Sequence, residues 1–380
     1  MKILIILHKV KKKGGAVLQI LKMVRAFKED GHEVSVFSFD SISRTKNIFY
    51  NTFNTVRSLH KRIETFNPTI IFTAEPIFTT LYTLLARRKK SKLVVRIGAV
   101  YDSFYAARLI EKISPEKIYT SLFNFLKQTL RFISKVLFTK IDFVVFNSHF
   151  LKNNYNSIAP HSIVIHNGVE KPSSIKFQVN KPIRFVYVGR IEPRKSIELI
   201  IKSLDILKSV ENDFTFSLIG NVNLYPNYWK KILKMISHYK LTDQVKIIGE
   251  VENKKLPDVL QKHDILLFST DDRNFPITEG LPNVILEGMS SGLAIIATPV
   301  AGIPEMINES NGFLVSANPE EFAERIHYLT QNPDIIMSMK KQNVKDIKRR
   351  FLIQKTANNY LNVFHIISNK VRKQVKNQTK

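Results

Sequence analysis

The sequence contains no cysteine among its 380 residues, which excludes a disulfide framework and a thiolate metal site. It also lacks a long uninterrupted apolar run. The longest apolar stretch, residues 132–146, is broken by two lysines and an aspartate. The opening MKILIILHKV is apolar for only about seven positions before it becomes basic. We therefore expect a first buried strand, no secretory signal, no transmembrane helix and a cytoplasmic protein.

Acidic residues are scarce, with 32 Asp and Glu against 58 Lys and Arg and a net charge of +26. Residues 1–170 hold 27 basic and 11 acidic side chains, residues 171–340 hold 20 of each, and residues 341–380 hold 11 and one. A charge serving only solubility would not divide in this way. The basic first half and tail predict a polyanionic partner there: anionic lipid, lipid diphosphate or nucleic acid.

Several diagnostic motifs are also absent. No GxGxxG is present, and position 194 is arginine where a P-loop ending at Lys195-Ser196 needs glycine. We find no Asp-x-Asp motif and no convincing His/Cys cluster, so no metal site is predicted. No helix-turn-helix, RNP-type or zinc signature accompanies the positive charge, which argues against the nucleic-acid-binding alternative.

Two series of apolar segments alternate with segments compatible with helices, which predicts an α/β protein with parallel, doubly wound sheets. We expect two Rossmann-like domains facing each other across a cleft, at 1–170 and 181–349, joined by a polar linker. The predicted strands are Lys2–His8, His32–Phe39, Thr69–Phe72, Lys92–Ile97, Asp142–Phe146 and Ser162–Ile165, then Arg184–Val188, Thr215–Ile219, Val245–Ile248, Ile265–Ser269, Ala294–Thr298 and Gly312–Val315. A first helix is predicted over Ala16–Glu29.

The stretch EGLPNVILEGMSSG places Glu279 and Glu287 eight positions apart between two predicted strands. Pro282 suits the first turn of a short helix and Gly292 suits its end. In such a unit the helix N–H groups and positive dipole end face the ligand crevice, which favours a phosphate, and Glu287 would lie near hydroxyls of the same ligand. We favour a nucleotide-sugar site. The alternative is an ordinary βαβ unit with two solvated carboxylates.

Three further segments are compatible with ligand binding. Gly189-Arg190 ends a strand and Lys195-Ser196 is predicted to open a helix, an arrangement that would hold an anion unless both cations are merely solvated. The paired Gly14-Gly15 could admit a ligand close to the backbone or form a plain flexible turn. Asn167-Gly168 by itself is better explained as a turn.

Taken in order, these motifs resemble retaining GT-B glycosyltransferases of family 4. The resemblance covers nearly the whole chain, is strongest from about 183 to 316, and is most specific in EGLPNVILEGMSSG. The segments that carry it are the glycine loop, Asn167-Gly168-Val169, Gly189-Arg190…Lys195, Val245–Ile248, Glu279-x7-Glu287 and Gly302-Ile303-Pro304-Glu305. It implies transfer of a sugar from a nucleotide-sugar donor without cofactor or catalytic metal, and a C-terminal helix, about 350–380, that completes the first domain.

The resemblance also implies site roles. Arg190 and Lys195 would hold the donor diphosphate, Glu287 the ribose hydroxyls, and Glu279 the donor sugar. The remaining implied donor contacts are Gly14, Gly15, Asn167, Gly189, Gly280, Leu281 and Pro282. Because departure of a nucleoside diphosphate builds negative charge, fixed cations and helix N–H groups stabilise the transition state most. No protein nucleophile is assigned, and the two glutamates are not a glycosidase acid/base pair.

Two positions depart from the family pattern. The histidine that contacts the donor sugar in many relatives is missing from the segment Arg96–Asp102, where Arg96, Tyr101 or Asp102 could take part instead. Ser196 stands where a glycine usually follows the lysine, a mild change for a helix start.

Residues 103–140 mix aromatic and basic side chains in a pattern typical of a membrane-surface helix. The alternative is a core-facing stripe with a solvated basic face. The run Arg87–Lys90 and the basic tail favour the membrane, and the returning C-terminal helix would place both basic regions on one side. We predict a peripheral protein on the inner membrane face whose acceptor is a lipid-linked saccharide or a lipopolysaccharide core. A nucleotide-sugar epimerase of the same fold is the alternative enzyme.

Overall fold

A computed structural model of the chain describes residues 1–8, 15–42, 48–74, 77–86, 90–100, 119–157, 159, 161–171, 174–271 and 280–378. The chain forms two compact units. The first comprises Met1–Gly168, Pro276–Leu281 and Ile353–Lys380, and the second comprises Val169–Phe275 and Pro282–Leu352. None of the helices in the described ranges is long and apolar enough to cross a membrane.

The first unit is built on a six-stranded parallel sheet of order β2-β1-β3-β4-β5-β6. Its strands are β1 (Lys2–Leu7), β2 (Glu33–Ser38), β3 (Ile70–Thr73), β4 (Lys92–Ile97), β5 (Phe143–Phe146) and β6 (Ser162–Val164). All six were predicted, with small differences at their ends. The four central strands are buried on nearly every residue, as expected when helices cover both faces of a parallel sheet.

Alternate residues of these strands belong to different cores, because successive side chains of a strand point to opposite faces. The helices of this unit are α1 (Gly15–Glu29), α2 (Ile48–Phe66), α3 (Phe78–Ala86), α4 (Tyr119–Phe138), α5 (His149–Tyr155) and α12 (Ile353–Gln378). One core takes Ile3 and Ile5 with residues of α1 and α12, and the other takes Leu4 and Ile6 with residues of α2, α3, α4 and α5.

The C-terminal helix α12 therefore belongs to the first unit, as the family resemblance implied. It packs on α1, through contacts such as the edge-to-face pair of Phe27 and Phe364. The expectation that α12 and the basic segment of α4 lie on one side is wrong. The two helices cover opposite faces of the sheet, since their buried residues belong to the two separate cores.

The second unit holds another six-stranded parallel sheet, of order β12-β11-β10-β7-β8-β9. Its strands, all predicted, are β7 (Ile183–Val188), β8 (Phe214–Ile219), β9 (Val245–Gly249), β10 (Ile265–Phe268), β11 (Ala294–Ala297) and β12 (Gly312–Leu314). Its helices are α6 (Ile197–Lys208), α7 (Pro226–His238), α8 (Leu256–Leu260), α9 (Asn283–Ser290), α10 (Pro319–Gln331) and α11 (Pro333–Arg350). Two parallel doubly wound sheets confirm the predicted fold class.

Asn167-Gly168 does not form the turn that the dipeptide alone favoured. The backbone there carries no turn, and Asn167 is buried. A Cβ on Gly168 would lie 2.7 Å from the Cα of Ile353. The glycine is therefore needed because the first residue of α12 approaches its backbone closely.

Candidate functional site

The second sheet reverses its winding between β7 and β10. The chain runs from β7 outward to β8 and β9 on one side, and β10, β11 and β12 follow on the other. In open parallel sheets the loops at such a reversal leave a crevice beyond the carboxyl ends of the strands, where ligands bind. The loop of Arg190 and Lys195 follows β7, and the segment of Glu279 and Glu287 follows β10. The fold thus brings the two strongest predicted motifs to neighbouring strand ends.

Hydrogen bonds tie these two strand ends together. Ser269 Oγ donates to the carbonyl of Lys195 at 2.7 Å, and Thr270 Oγ1 donates to the carbonyl of Arg194 at 3.1 Å. The backbone N–H of Asp271 donates to that same Arg194 carbonyl at 2.9 Å. The loop after β7 is therefore fixed by residues that directly follow β10.

Glu192 organises the arginines of this loop. Its Oε2 lies 3.0 Å from Nη1 of Arg190, and its Oε1 lies 3.0 Å from Nη2 of Arg194. The side chains of Glu192 and Arg194 are 6% and 8% exposed, whereas that of Arg190 is 57% exposed. A buried carboxylate thus anchors a guanidinium that still reaches solvent. Sequence reasoning missed Glu192 and Arg194, although the alternating charges at positions 190, 192 and 194 were a usable signal.

Lys195 is buried rather than solvated, so the alternative of a merely solvated cation is wrong for this residue. Its ammonium lies 4.8 Å from the centroid of the Phe268 ring, where a cation–π attraction compensates part of its desolvation. The expectation that Lys195 opens a helix is also wrong. It ends the short 3-10 turn Pro193–Lys195, and α6 begins at Ile197.

Ser196, between the turn and α6, has φ 43° and ψ 47°. This left-handed backbone crowds the Cβ of an L-residue and suits glycine, which explains the glycine usual in the family at this position. The departure at Ser196 is therefore a strained backbone rather than a mild change. Ser269 Oγ also lies 3.0 Å from the Ser196 carbonyl oxygen, so its single proton is shared between the carbonyls of Lys195 and Ser196.

The start of α6 is already occupied by protein groups. The backbone N–H of Ile197 donates to the hydroxyl of Tyr228 at 3.0 Å, and that hydroxyl donates to Glu198. Burial, and then the Glu198 carboxylate, raise the pKa of Tyr228, so the phenol stays protonated as that donor. Any anion bound beside this loop would therefore rely on the side chains of Arg190 and Lys195 more than on the Ile197 N–H.

Helix α9 carries Glu287, which is half-buried in its second turn. Pro282 occupies the N-cap position, one residue before the predicted first turn. A Cβ on Gly288 would lie 2.8 Å from Leu266 Cδ2, so this glycine lets α9 approach β10 closely. Gly292 has φ 73° and ends the helix as predicted. Glu279 lies outside the described residues.

Gly189 has a steric role within the protein. A Cβ there would lie 2.7 Å from the hydroxyl oxygen of Tyr187, whose O–H donates to the Arg190 carbonyl at 3.0 Å. In the first unit, Gly15 is the exposed first residue of α1, which follows β1 at the reversal between β1 and β3. Gly14 lies outside the described residues.

Asn167, Gly280 and Leu281 come together within the first unit. Asn167 Nδ2 donates to the Leu281 carbonyl at 3.2 Å, and the Gly280 N–H donates to the Gly98 carbonyl at 3.2 Å. Asn167 Oδ1 accepts from Arg96 at 2.6 Å. Arg96 is 2% exposed, so its guanidinium serves the protein interior. The other two candidates for the missing histidine's place, at positions 101 and 102, lie outside the described residues.

Comparison with known protein families identifies the family to which this chain belongs. Residues 170–346 match the family described as glycosyl transferases group 1, and residues 13–171 match glycosyltransferase family 4. The chain belongs to the GT-B glycosyltransferases of family 4. The two family matches meet close to the boundary between the two compact units.

Several known glycosyltransferases are similar to this chain over part of their length. An uncharacterised glycosyltransferase of Methanocaldococcus jannaschii is 27% identical over 63% of this chain and 63% of that protein. The GPI3 subunit of phosphatidylinositol N-acetylglucosaminyltransferase from Saccharomyces cerevisiae is 28% identical over 57% of this chain and 49% of that protein. The chain thus spans between about half and two thirds of these relatives.

Solved structures share the fold over nearly the whole chain. A glycosyltransferase from Rickettsia africae superimposes with a TM-score of 0.75 at 18% identity, covering 96% of this chain and 98% of that one. The Anabaena protein HepE in complex with UDP gives a TM-score of 0.72 at 17% identity, covering 96% and 100%. At these identities the likeness establishes the GT-B fold of the glycosyltransferase.

Proposed function

We propose that this chain is a retaining glycosyltransferase that moves a sugar from a nucleotide-sugar donor to a saccharide or lipid-linked acceptor in cell-envelope glycan assembly. The observation that carries the proposal is the reversal of the second sheet, where Arg190 and Lys195 follow β7 and α9 with Glu287 follows β10. Two similar proteins support the two substrate classes. HepE was solved with UDP, and the yeast subunit belongs to a phosphatidylinositol N-acetylglucosaminyltransferase.

The charges at this sheet edge suit departure of a nucleoside diphosphate. As the bond to the sugar breaks, negative charge grows on the phosphate oxygens, so cations fixed beforehand stabilise the transition state more than the ground state. Arg190 is fixed by Glu192, and Lys195 by its buried position over Phe268. We assign them to the diphosphate, Glu287 to the ribose hydroxyls, and Glu279 to the donor sugar. We expect Gly14, Gly15, Asn167, Gly189, Gly280, Leu281 and Pro282 to complete the donor surroundings.

The reaction class is tested by incubating the protein with a panel of nucleotide sugars and following nucleoside diphosphate release. The anomeric configuration of the transferred or hydrolysed sugar is then read by NMR. We expect release of the diphosphate and a product with the configuration of the donor. Interconversion of one nucleotide sugar into another would favour the epimerase alternative, and inversion would refute the retaining mechanism.

Matched variants test the site. Lys195→Met keeps the buried stem and should lower kcat about 100-fold, as expected when one group stabilising a developing anion is removed. Glu287→Gln should weaken donor binding by about tenfold or more, since a charged hydrogen bond contributes about 1.5–3 kcal/mol. Lys202→Met and Glu320→Gln, at exposed positions of the same unit, are the controls. Unchanged kinetics in both site variants would refute the assignment.

We also propose that α4 places the protein on an anionic membrane that carries the acceptor. Phe125, Phe132 and Val136 are 65%, 67% and 49% exposed. They are spaced seven and four residues apart, so they form one stripe along the solvent side of the helix. Leu137 and Phe138 face the core instead. The core-facing alternative therefore does not account for the exposed stripe.

Helix α2, whose buried residues belong to the same core as those of α4, exposes similar side chains. Its Tyr50 and Phe53 are also exposed, and its Arg57 and Lys61 point to solvent. Aromatic side chains with nearby cations are the combination that binds at a lipid interface, where each cation near the surface contributes about 1 kcal/mol. Positions 103–118 of the predicted basic segment lie outside the described residues.

Vesicle flotation tests this surface. The protein should float with vesicles containing anionic phosphatidylglycerol and much less with pure phosphatidylcholine. The double variant Phe125→Ser with Phe132→Ser should lose most binding, because each buried Phe contributes about 1.5–3 kcal/mol. Val210→Ser, which removes an exposed apolar residue of the second unit, is the control. Membrane docking through α4 would be refuted if the protein floated equally with both lipids. It would also be refuted if the double Phe variant floated as well as the Val210→Ser control.

A further inference from the structure

Helix α7 concentrates positive charge in a part of the chain whose charges otherwise balance. Residues 171–340 carry 20 basic and 20 acidic side chains, but no Asp or Glu occurs from 214 to 242, a segment that includes all of α7. The same segment holds four lysines and one histidine, and all five side chains are exposed: Lys230, Lys231, Lys234, His238 and Lys240. Since like charges four residues apart on a helix repel each other, this cluster is suited to an anionic partner.

Most of these cations line a shallow groove along α7, whose lining residues are Asn227, Lys230, Lys231, Lys234, Met235 and His238. Residues three or four positions apart are neighbours on a helix surface, so Lys230, Lys234 and His238 follow one another in a row. Lys231 is paired with Glu198 of α6 at 2.9 Å. Among the described residues, no carboxylate forms an ion pair with Lys230 or Lys234. The row therefore offers positive charge that the described part of the chain does not neutralise.

Exposed apolar side chains accompany this row. Leu233 is 39% exposed and is a neighbour of Lys230 on the helix surface, three positions before it. Leu224 and Tyr225, which lead into α7, are 49% and 45% exposed. Cations beside exposed apolar and aromatic side chains are the combination that binds at a lipid interface, because the cations meet the phosphates while the apolar groups leave water.

Helix α11 of the same unit shows that a basic face alone does not make such a surface. Its Lys341, Lys345 and Lys348 are also exposed, at spacings of four and three residues. No large apolar side chain of α11 is exposed, however. The charges of α11 are those of an ordinary solvated helix face, and α7 differs from it by the apolar side chains beside its lysines.

We propose that α7 is a docking surface for an anionic lipid bilayer, with Lys230 and Lys234 against the lipid phosphates and Leu233 at the apolar boundary. Its buried Tyr228 donates a hydrogen bond to Glu198 on α6, so the helix is fixed to the rest of its unit. Docking through α7 would therefore hold at the membrane the unit to which we assign the donor. The inference goes beyond the proposed function, since it depends neither on sugar transfer nor on α4.

The lack of cysteine allows a fluorescent reporter to be attached at one chosen position. Leu233→Cys is labelled with a fluorophore whose emission depends on polarity, and the full chain is titrated with vesicles. The titration is made in the background of Phe125→Ser with Phe132→Ser, so that α4 contributes little. We expect the emission to shift to the blue with phosphatidylglycerol, to be quenched when that lipid carries bromine on its acyl chains, and to stay unchanged with phosphatidylcholine.

Two matched lysine pairs test the role of charge. Lys230→Gln with Lys234→Gln should raise the lipid concentration that gives half of the shift about 30-fold, the combined effect of two cations near an anionic surface. Lys341→Gln with Lys345→Gln removes the same charge from α11 and should leave the titration almost unchanged. All four lysines are exposed except for their contacts with solvent-facing neighbours, so neither pair should impair folding.

The inference would be overturned by the absence of a blue shift, by an equal shift with phosphatidylcholine, or by equal titrations of the two lysine pairs. A response to soluble dextran sulfate but not to vesicles would also overturn it, and would assign the groove to a soluble polyanion. Sugar transfer is judged separately by diphosphate release, and docking through α4 by flotation of the unlabelled chain, so failure of either is distinguishable from failure of this inference.

Discussion

Replacing Ser196 by glycine should stabilise the second unit. Ser196 holds φ 43° and ψ 47°, a left-handed conformation that costs an L-residue about 1–2 kcal/mol and glycine almost nothing. Its side chain makes no cap hydrogen bond that the substitution would remove. Glycine also raises the conformational entropy of the unfolded chain, which stabilises the unfolded state by about 0.4–1 kcal/mol and opposes the gain. The expected net gain is about 0.5–1 kcal/mol, or about 2 °C in Tm for a unit of this size.

The single tryptophan provides the assay. Trp229 lies on α7 and packs against the core of the second unit, so its fluorescence during urea unfolding reports on that unit. The free energy of unfolding of Ser196→Gly is compared with that of Ser196→Ala, which removes the hydroxyl but keeps the strained Cβ. We expect the alanine variant to match the wild type and the glycine variant to exceed both.

Ser209 supplies the opposite control at the other end of α6. It has φ −69° and ψ −22°, an ordinary right-handed conformation, and its Oγ donates to the Ile206 carbonyl at 2.7 Å. Ser209→Gly should therefore lower stability by about 0.5–1 kcal/mol. Equal stabilities of Ser196→Gly and Ser196→Ala would refute the argument from backbone strain.

Three further predictions concern stability. Gly168→Ala should lower the free energy of unfolding, measured by calorimetry, by about 1–3 kcal/mol, because the new Cβ would lie 2.7 Å from the Ile353 Cα. An unchanged Tm would contradict this close approach. Lys340→Met should lower the free energy of unfolding, measured by urea titration, by about 3 kcal/mol, because it leaves buried Asp264 without its cation at 2.9 Å. Lys341→Met, at the exposed neighbouring position, should leave it almost unchanged. Burial lowers the pKa of His263 below its ordinary 6.5, so the unfolded chain binds a proton here more readily than the folded protein. The free energy of unfolding should therefore be highest above about pH 6.5 and decrease as the pH is lowered further. His263→Gln should flatten that dependence between about pH 7.5 and 5.5, and an unchanged slope would assign it to other groups.

Local patterns determined the architecture of this protein. Apolar runs at regular spacing identified the twelve strands found in the described residues, most clearly the central ones, which are apolar along their length because helices cover both faces. The segment EGLPNVILEGMSSG indicated both a helix between two strands and its family, and Gly292 marked the end of that helix through its left-handed backbone. These features depend on nearest neighbours along the chain, so the sequence by itself carries them.

Tertiary structure decided which predicted site residues are buried and what they contact. Whether Lys195 is solvated or buried depends on Phe268, more than seventy residues away, and whether Asn167 forms a turn depends on the approach of Ile353. Arg96 on β4 bonds Asn167, which follows β6, and β5 lies between these two strands in the sheet. No local pattern encodes such pairings, because they arise only when strand order brings distant residues together. The sequence therefore determined the fold and the family, and the packing decided which of the predicted site charges are buried and which reach solvent.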